Sequence, residues 1–209
     1  MAARTHSHWL DGRVYAQVKR FCDVIALGAL WTVVSLPLVT LLPASAAVFG
    51  VARQWSLGRA PSIWSAFWRY FRENGRAAVA LEAVWVVAAA GFVADLRLAA
   101  ALPPSASVVL RVAVALTMVV AAAATVYALS LMVTYDMPLR RLARTSMIFV
   151  IGRPATTARC LLLLGAVAAV GSVFPLAPIL AAGLLAAVLY RWCARVFEQV
   201  ANQSVAAAA

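Results

Sequence analysis

Long apolar runs alternate with short arginine-bearing segments along this chain of 209 residues. Three of the runs contain no charged residue, and they are Val24–Ala52, Val112–Tyr135 and Cys160–Tyr190. About 20 apolar residues of α-helix are enough to cross a bilayer core of roughly 30 Å. The pattern therefore predicts an all-α, polytopic helical membrane protein.

Prolines divide the longest of these runs. It carries Pro175 and Pro178, and proline in a helix interior removes a hydrogen bond and clashes with the preceding turn. Because the run is also too long for one span, we expect a closing helical hairpin over 156–198, with helices at 156–174 and 177–198.

The distribution of Lys and Arg predicts how the first run is threaded. Basic residues are frequent in 1–20, 53–76 and 136–159, and rare in 95–111 and 172–178. Short cytoplasmic loops of membrane proteins are enriched in Lys and Arg. Since both segments that flank the first run are basic, the chain is expected to leave the cytoplasmic side and return within that run.

The first run is therefore expected to form a helical hairpin over 21–57 that turns between Pro37 and Pro43. Pro43 suits the first turn of the returning helix, where a missing N–H costs nothing. Thr40 precedes that turn, and its hydroxyl is expected to accept from the free N–H groups. The returning arm, 43–57, is short, so it is either a full span or a re-entrant segment.

Two segments have the amphipathic character of helices that lie on the membrane surface. In 61–74, tryptophan and phenylalanine stand at helical spacing, opposed by arginine and glutamate, and Asn74-Gly75 is expected to end this helix. The other segment, 138–152, is basic.

The predicted architecture is one membrane domain, 1–209, with about six membrane helices and both termini cytoplasmic. Its segments are a tail (1–20), a helical hairpin (21–57), an interfacial helix (61–74), two spans (76–100 and 106–136), a second interfacial helix (138–152), a helical hairpin (156–198) and a tail (199–209).

The net charge of +11 invites a nucleic-acid reading. The positive residues fall in short connectors between apolar runs, so nucleic acid is excluded as a partner and the lipid bilayer is expected instead. Only 12% of residues are charged, and a soluble domain carries about twice that fraction. The arginine and alanine bias indicates a bacterial source, and hence the bacterial cytoplasmic (inner) membrane.

The sequence lacks the patterns of nucleotide-binding loops, serine hydrolases and zinc proteases. We therefore expect no catalytic residue, no cofactor, no metal and no enzymatic activity. The cysteines, Cys22, Cys160 and Cys193, lack metal-binding spacing and are expected to be small packing residues.

Acidic residues near or inside the spans are the candidates for function. Glu82 is the one charge within 77–94, and an ionisable group inside a span is costly and usually faces the bundle interior. It is expected either to hydrogen-bond another helix or to contact a proton or substrate. Asp23 is expected to complement the dipole of a helix that begins there.

Asp136 ends a span just before Arg140 and Arg141. It is expected to cap helix 138–152, or else to pair with one of those arginines. Small residues allow close helix approach in membranes, and the glycines expected to do so are Gly28, Gly50, Gly165 and Gly171.

Aromatic residues away from the predicted interfaces are Trp31, Trp85 and Tyr127. They either pack between helices or line a pocket for a sugar or another ring-shaped ligand.

The stretch LWTVVSLPLVTLLPASAAVFGVARQW, followed by FWRYFRENGRAA, resembles the bacterial YesL-like membrane-protein family. The residues that carry the resemblance are Trp31, Ser35, Pro37, Val39, Thr40, Pro43, Phe67, Phe71 and Asn74. A later stretch, YDMPLRRLARTSMIFVIGRP, is similar to the family's second connector. Where the family often has Gly after Val-Thr, this chain has Leu41-Leu42-Pro43. The resemblance implies a role beside carbohydrate uptake and breakdown, with no assigned reaction.

Two functions follow as expectations. The first is an accessory component of carbohydrate uptake, which binds a transporter subunit or associates with itself. The alternative is a small-solute transporter or channel that uses Glu82 and the proline-broken first hairpin, since discontinuous helices often build substrate sites. A membrane enzyme has the least support, because no nucleophile and base can be paired.

Overall fold

A computed structural model describes residues 5–100, 103–174 and 177–206, and this part of the chain contains only helices, with no strand. The elements are α1 (Thr5–Ser35), a short 3₁₀ turn (Leu38–Thr40), α2 (Leu41–Ser56), α3 (Ile63–Ala100), α4 (Pro104–Met132), α5 (Leu139–Gly152), α6 (Pro154–Val173) and α7 (Ala177–Ala206). The all-helical class predicted from the apolar runs is confirmed.

Four segments of the described chain are long and apolar enough to cross a membrane: Leu38–Ser56, Ile63–Leu98, Pro104–Met132 and Pro154–Val173. The protein is therefore a helical membrane protein, although fewer segments qualify than the six that were predicted. The uncharged part of α1 is only Val24–Ser35, because Asp23 precedes it and the helix ends before Pro37.

The central element of the bundle is α2. Of the residues in its most apolar stretch, 61% are buried inside the protein. The corresponding buried share is 11% for α3 and 11% for α6. Alanine and glycine at Ala44, Ala46, Ala47 and Gly50 let neighbouring helices approach closely, and α2 packs most extensively against α3 and α7. At 16 residues it is about 24 Å long, which is shorter than a bilayer core of about 30 Å.

The turn predicted between Pro37 and Pro43 is present. After α1 ends, the 3₁₀ turn reverses the chain, and Pro43 lies in the first turn of α2, as predicted. The role predicted for Thr40 is wrong. Its hydroxyl donates to the carbonyls of Val34 and of Pro37 (2.7 Å), so it satisfies the end of α1 and leaves the start of α2 to another group.

Three predicted boundaries differ from the structure. The predicted break at Asn74-Gly75 is absent, and α3 continues through it. The Asn74 amide donates to the Tyr70 carbonyl one turn earlier (3.1 Å), and one glycine in a helix costs only about 1 kcal/mol. Residues 5–20 and 199–206, which were predicted as tails, are helical.

One end of the bundle collects most of the arginines, and we refer to it as the basic end. It contains the end of α2, the start of α3, the end of α4 and the whole of α5. The end of α7 is there as well, since the ring of Phe197 contacts the rings of Tyr135 and Phe149. Both arginine-rich connectors, 53–76 and 136–159, thus meet at one end.

Polar contacts join α4, α6 and α7 close to that end. The Tyr127 hydroxyl on α4 lies 3.3 Å from the Thr157 hydroxyl on α6, and the Cys193 thiol on α7 lies beside Cys160 on α6 and Ser130 on α4. Cys160 and Cys193 are buried packing residues, as predicted, whereas Cys22 is exposed.

The contact between Cys160 and Cys193 predicts a cross-link. Treatment of the membrane-embedded protein with copper phenanthroline should join the two thiols, because Cys160 and Cys193 are buried beside each other. Trypsin would then release the peptides 160–191 and 192–195 as one disulfide-linked species, detectable by mass spectrometry. Cys22 is the internal control and should stay out of any intramolecular link, whereas separate peptides 160–191 and 192–195 would contradict the packing of α6 on α7.

Candidate functional site

Glu82 is a buried carboxyl group in the middle of α3. The residue is 9% exposed, and the carboxyl atom Oε2 accepts a hydrogen bond of 2.7 Å from the backbone N–H of Leu42. Leu42 lies in the first turn of α2, where backbone N–H groups have no partner within the helix. Glu82 therefore caps the start of α2, a role that was predicted for Thr40. Its carboxyl group faces the positive end of the α2 dipole.

A cavity of about 530 Å³ adjoins this contact, and we refer to it as the Glu82 cavity. It is lined by residues of α1, the turn after it, α2, α3, α4, α6 and α7. Its lining is largely apolar, and the polar side chains in it are Trp31, Ser45, Glu82, Trp85 and Thr125. The volume is within the usual range for small-molecule sites.

Hydrogen bonds hold both tryptophans of the cavity in place. The indole N–H of Trp31 donates to Ser45 Oγ (3.1 Å), and that of Trp85 donates to Thr125 Oγ1 (2.9 Å). Each hydroxyl in turn donates to a carbonyl one turn back in its own helix. The indole N–H groups are therefore engaged by the protein, and the rings are left to contact a ligand.

Glu82 is the one ionisable side chain in the lining of this cavity, as far as the described residues go. Its Oε1 accepts no hydrogen bond from any of them. The cavity thus combines an apolar wall, two indole rings and a carboxyl oxygen with free acceptor capacity.

The other residues singled out in the first hairpin shape its turn and do not line the cavity. Pro37 supplies the carbonyl that accepts from both the N–H and the hydroxyl of Thr40. Pro43 is fully buried within α2. Ser35 is the last residue of α1, and its hydroxyl is buried with no hydrogen-bond partner in the described part of the chain.

Three further candidates lie away from the Glu82 cavity. Asp23 is not in a first helical turn, because α1 begins at Thr5 and carries Asp23 near its middle. Asp136 does not cap α5, whose N-cap is Pro138 without a side-chain hydrogen bond, nor does it pair with an arginine among the described residues. Asn74 lies inside α3 at the basic end.

The sequence-based candidates missed Ser45 and Thr125, which orient the two indoles. One signal was available for Thr125, because it is the first polar residue after the alanine run 121–124. Ser45 carried no such signal, since its contact with Trp31 depends on how the hairpin folds back.

Comparisons with known proteins agree with this picture only at the level of family. The model of a family described as "Protein of unknown function, DUF624" matches residues 24–96, which include the turn of the first hairpin, α2 and Glu82. The chain is 32% identical over 141 residues to "Uncharacterized protein YesL" of Bacillus subtilis (strain 168). That match covers 67% of this chain and 66% of the relative, just under two thirds of its length. No solved structure matches the chain.

Proposed function

This chain belongs to the YesL-like family, and we propose that it is a small-solute transporter or channel that binds its solute in the Glu82 cavity. The observation that carries the proposal is the buried Glu82 carboxyl group, of which one oxygen holds the start of α2 while the other accepts no hydrogen bond from the described residues. An ionisable group inside a membrane bundle is expensive to keep there, and such groups commonly mark solute or proton pathways.

The chemistry of the cavity selects the solute. A hydrogen-bond donor, either an amine or a hydroxyl, can bind Glu82 Oε1, which has free acceptor capacity. The two indole rings favour an apolar ring or a cation, since a cation over a tryptophan face gains about 0.5–2 kcal/mol. The solute is therefore a small amphipathic molecule that carries at least one donor, and an amine fits better than a neutral group.

The start of α2 gives the cavity a means of responding to the solute. A donor that binds Oε1 of Glu82 engages the same carboxyl group whose Oε2 accepts from Leu42. Broken helices of transporters commonly place their ends at the solute site. Binding at Glu82 and the packing of the α2 start are thereby coupled.

The test is a binding and uptake experiment with 2-phenylethylamine and its neutral analogue 2-phenylethanol. In nanodiscs the wild type should bind the amine more tightly than the alcohol, and proteoliposomes should accumulate the amine. Glu82→Gln keeps an acceptor for Leu42 but loses the charge, so it should weaken amine binding at least tenfold. Glu73→Gln, on the exposed face of α3, is the matched control and should bind as the wild type does. Equal binding by wild type and Glu82→Gln would refute the proposal.

An accessory role in carbohydrate uptake is the second candidate, and the exposed surface of α5 favours it. This short helix buries Leu142, Ser146 and Val150, while Ile148 (60% exposed) and Ile151 (78% exposed) project outward at the basic end. A sugar-transporter subunit that rests on this surface should co-purify in mild detergent. Ile148→Glu with Ile151→Glu should abolish co-purification, and its persistence in that variant would exclude this surface.

The proposed location is the bacterial cytoplasmic membrane, with several passes, the basic end inside and both termini cytoplasmic. The arginine-rich connectors support this direction, because cytoplasmic loops are enriched in Lys and Arg. Alkaline phosphatase fused after residue 41 or 103 should be active, and the same reporter after residue 60 or 146 should be inactive. The reverse pattern would overturn the orientation.

A further inference from the structure

A second cavity, of about 840 Å³, opens at the basic end, and we refer to it as the arginine cavity. One wall is formed by the end of α2, the loop that follows and the start of α3, and the opposite wall by the end of α4 and the next loop. It shares no lining residue with the Glu82 cavity. Its charged lining residues are Arg53, Arg59, Arg69, Glu73 and Asp136.

Buried polar contacts organise the arginine wall. Gln54, which is 7% exposed, donates through Nε2 to the Tyr70 hydroxyl (2.5 Å) and accepts at Oε1 from Arg59 Nη1 (3.5 Å). The Arg69 guanidinium lies 5.0 Å from the centre of the Tyr70 ring. Two arginines are thus positioned by one glutamine–tyrosine pair, and Arg53 stands beside that glutamine on α2.

The charges of this cavity are only partly neutralised internally. Arg69 and Glu73 offset each other at 4.0 Å. Arg53, Arg59 and Asp136 have no oppositely charged side chain within 4.0 Å among the described residues, although all three line the same space. The wall that carries Asp136 also contains the C-terminal end of α4, where a helix dipole is negative. One wall is therefore positive and the opposite wall negative.

We propose that the arginine cavity binds a phosphate ester that also carries hydroxyl or amine groups. The phosphate lies against Arg53 and Arg59, because a guanidinium matches phosphate oxygens with two parallel hydrogen bonds. The hydroxyl or amine groups donate to Asp136 on the other wall. The two arginines and one aspartate leave one positive charge in excess, which favours a ligand that is net negative. A phospholipid headgroup and a soluble organic phosphate both have this chemistry.

Two arms of one experiment distinguish these sources. In nanodiscs of phosphatidylcholine, glycerol 3-phosphate is titrated by calorimetry, with inorganic phosphate and glycerol for comparison. In the second arm, protein released from nanodiscs of phosphatidylglycerol is examined by native mass spectrometry for retained lipid. Saturable binding of glycerol 3-phosphate, with weaker binding of inorganic phosphate and none of glycerol, identifies a soluble ligand. Retained phosphatidylglycerol without such binding identifies a headgroup site.

Substitutions assign the ligand to this cavity. Arg53→Gln with Arg59→Gln should weaken glycerol 3-phosphate binding, or lipid retention, at least tenfold. Arg140→Gln with Arg141→Gln removes the same charge from the exposed start of α5, outside the cavity, and should leave binding unchanged. Asp136→Asn should tighten the binding of inorganic phosphate. It should also abolish the preference for glycerol 3-phosphate over inorganic phosphate.

A conservative pair protects the test against misfolding. Arg53→Lys with Arg59→Lys keeps both charges and should retain the wild-type unfolding temperature, yet bind several-fold more weakly, since lysine lacks the bidentate geometry. If neither phosphate source binds the wild type, or if the α5 variant loses as much binding as the cavity variants, the proposal is wrong. Either outcome leaves the Glu82 proposal untouched, because the two cavities share no residue.

Discussion

Replacing Glu82 with alanine is expected to lower the free energy of unfolding by about 2 kcal/mol, because it leaves the buried N–H of Leu42 without an acceptor. A buried polar group that loses its partner costs about 1–3 kcal/mol. The measurement is unfolding of the purified protein in mild detergent with increasing sodium dodecyl sulfate, followed by helical circular dichroism.

Two control variants separate the hydrogen bond from the charge. Glu82→Gln keeps an oxygen acceptor of nearly the same shape, so its loss of stability should stay below about 1 kcal/mol. Glu73→Ala removes a carboxyl group from the same helix, where the side chain is 56% exposed and faces Arg69 at 4.0 Å. Exposed pairs of this kind contribute little, so this variant should change stability by no more than about 0.5 kcal/mol. Similar losses for Glu82→Ala and Glu73→Ala would contradict the role assigned to the Leu42 bond.

The Gly50→Ala substitution is expected to destabilise the protein by about 3 kcal/mol, because α2 has no room for a methyl group at this position. A Cβ on Gly50 would lie 2.5 Å and 2.6 Å from Cδ2 and Cδ1 of the Tyr70 ring, and closer still to its Cγ. Tyr70 is 5% exposed, and Gln54 and Arg69 hold it in place, so the ring cannot turn aside. The same unfolding measurement should report the loss.

Gly91→Ala is the matched control, since a Cβ at Gly91 on α3 meets no atom within 4 Å. Alanine is the better helix former by about 1 kcal/mol, so this variant should be as stable as the wild type or more so. In a Tyr70→Ala background the Gly50→Ala change should cost little, because the ring it would strike is gone. Additive losses in that double-mutant cycle would show that the two residues do not interact.

The turn of the first hairpin could be predicted from the sequence, whereas the continuation of α3 through Asn74-Gly75 could not. Pro37 and Pro43 mark the turn, because Pro37 lacks the N–H that would continue α1 and Pro43 fits the first turn of α2, where no N–H is needed. Asn74-Gly75 looked like a similar stop, but α3 runs through it. The difference is physical: a proline removes a backbone donor outright, whereas asparagine and glycine only weaken a helix that packing elsewhere stabilises.

For the small residues and the polar residues as well, the sequence offered candidates and the tertiary contacts decided among them. Gly50 and Gly165 were equally plausible sites of close helix approach, yet a Cβ would strike Tyr70 at Gly50 and meet nothing within 4 Å at Gly165. Thr40 was a reasonable cap for α2 from its position alone. Its hydroxyl turned back to α1, and the cap came from Glu82, 40 residues beyond Leu42 in the chain.

The sequence by itself determined that this protein is a bundle of membrane helices, and where the first hairpin turns. Those properties follow from length, hydropathy and proline, which act on the chain locally. Only the tertiary structure decided which group caps α2, which glycine is sterically required and which arginines share a cavity with Asp136. These depend on which helix faces meet, and no pattern in a single helix specifies its neighbour.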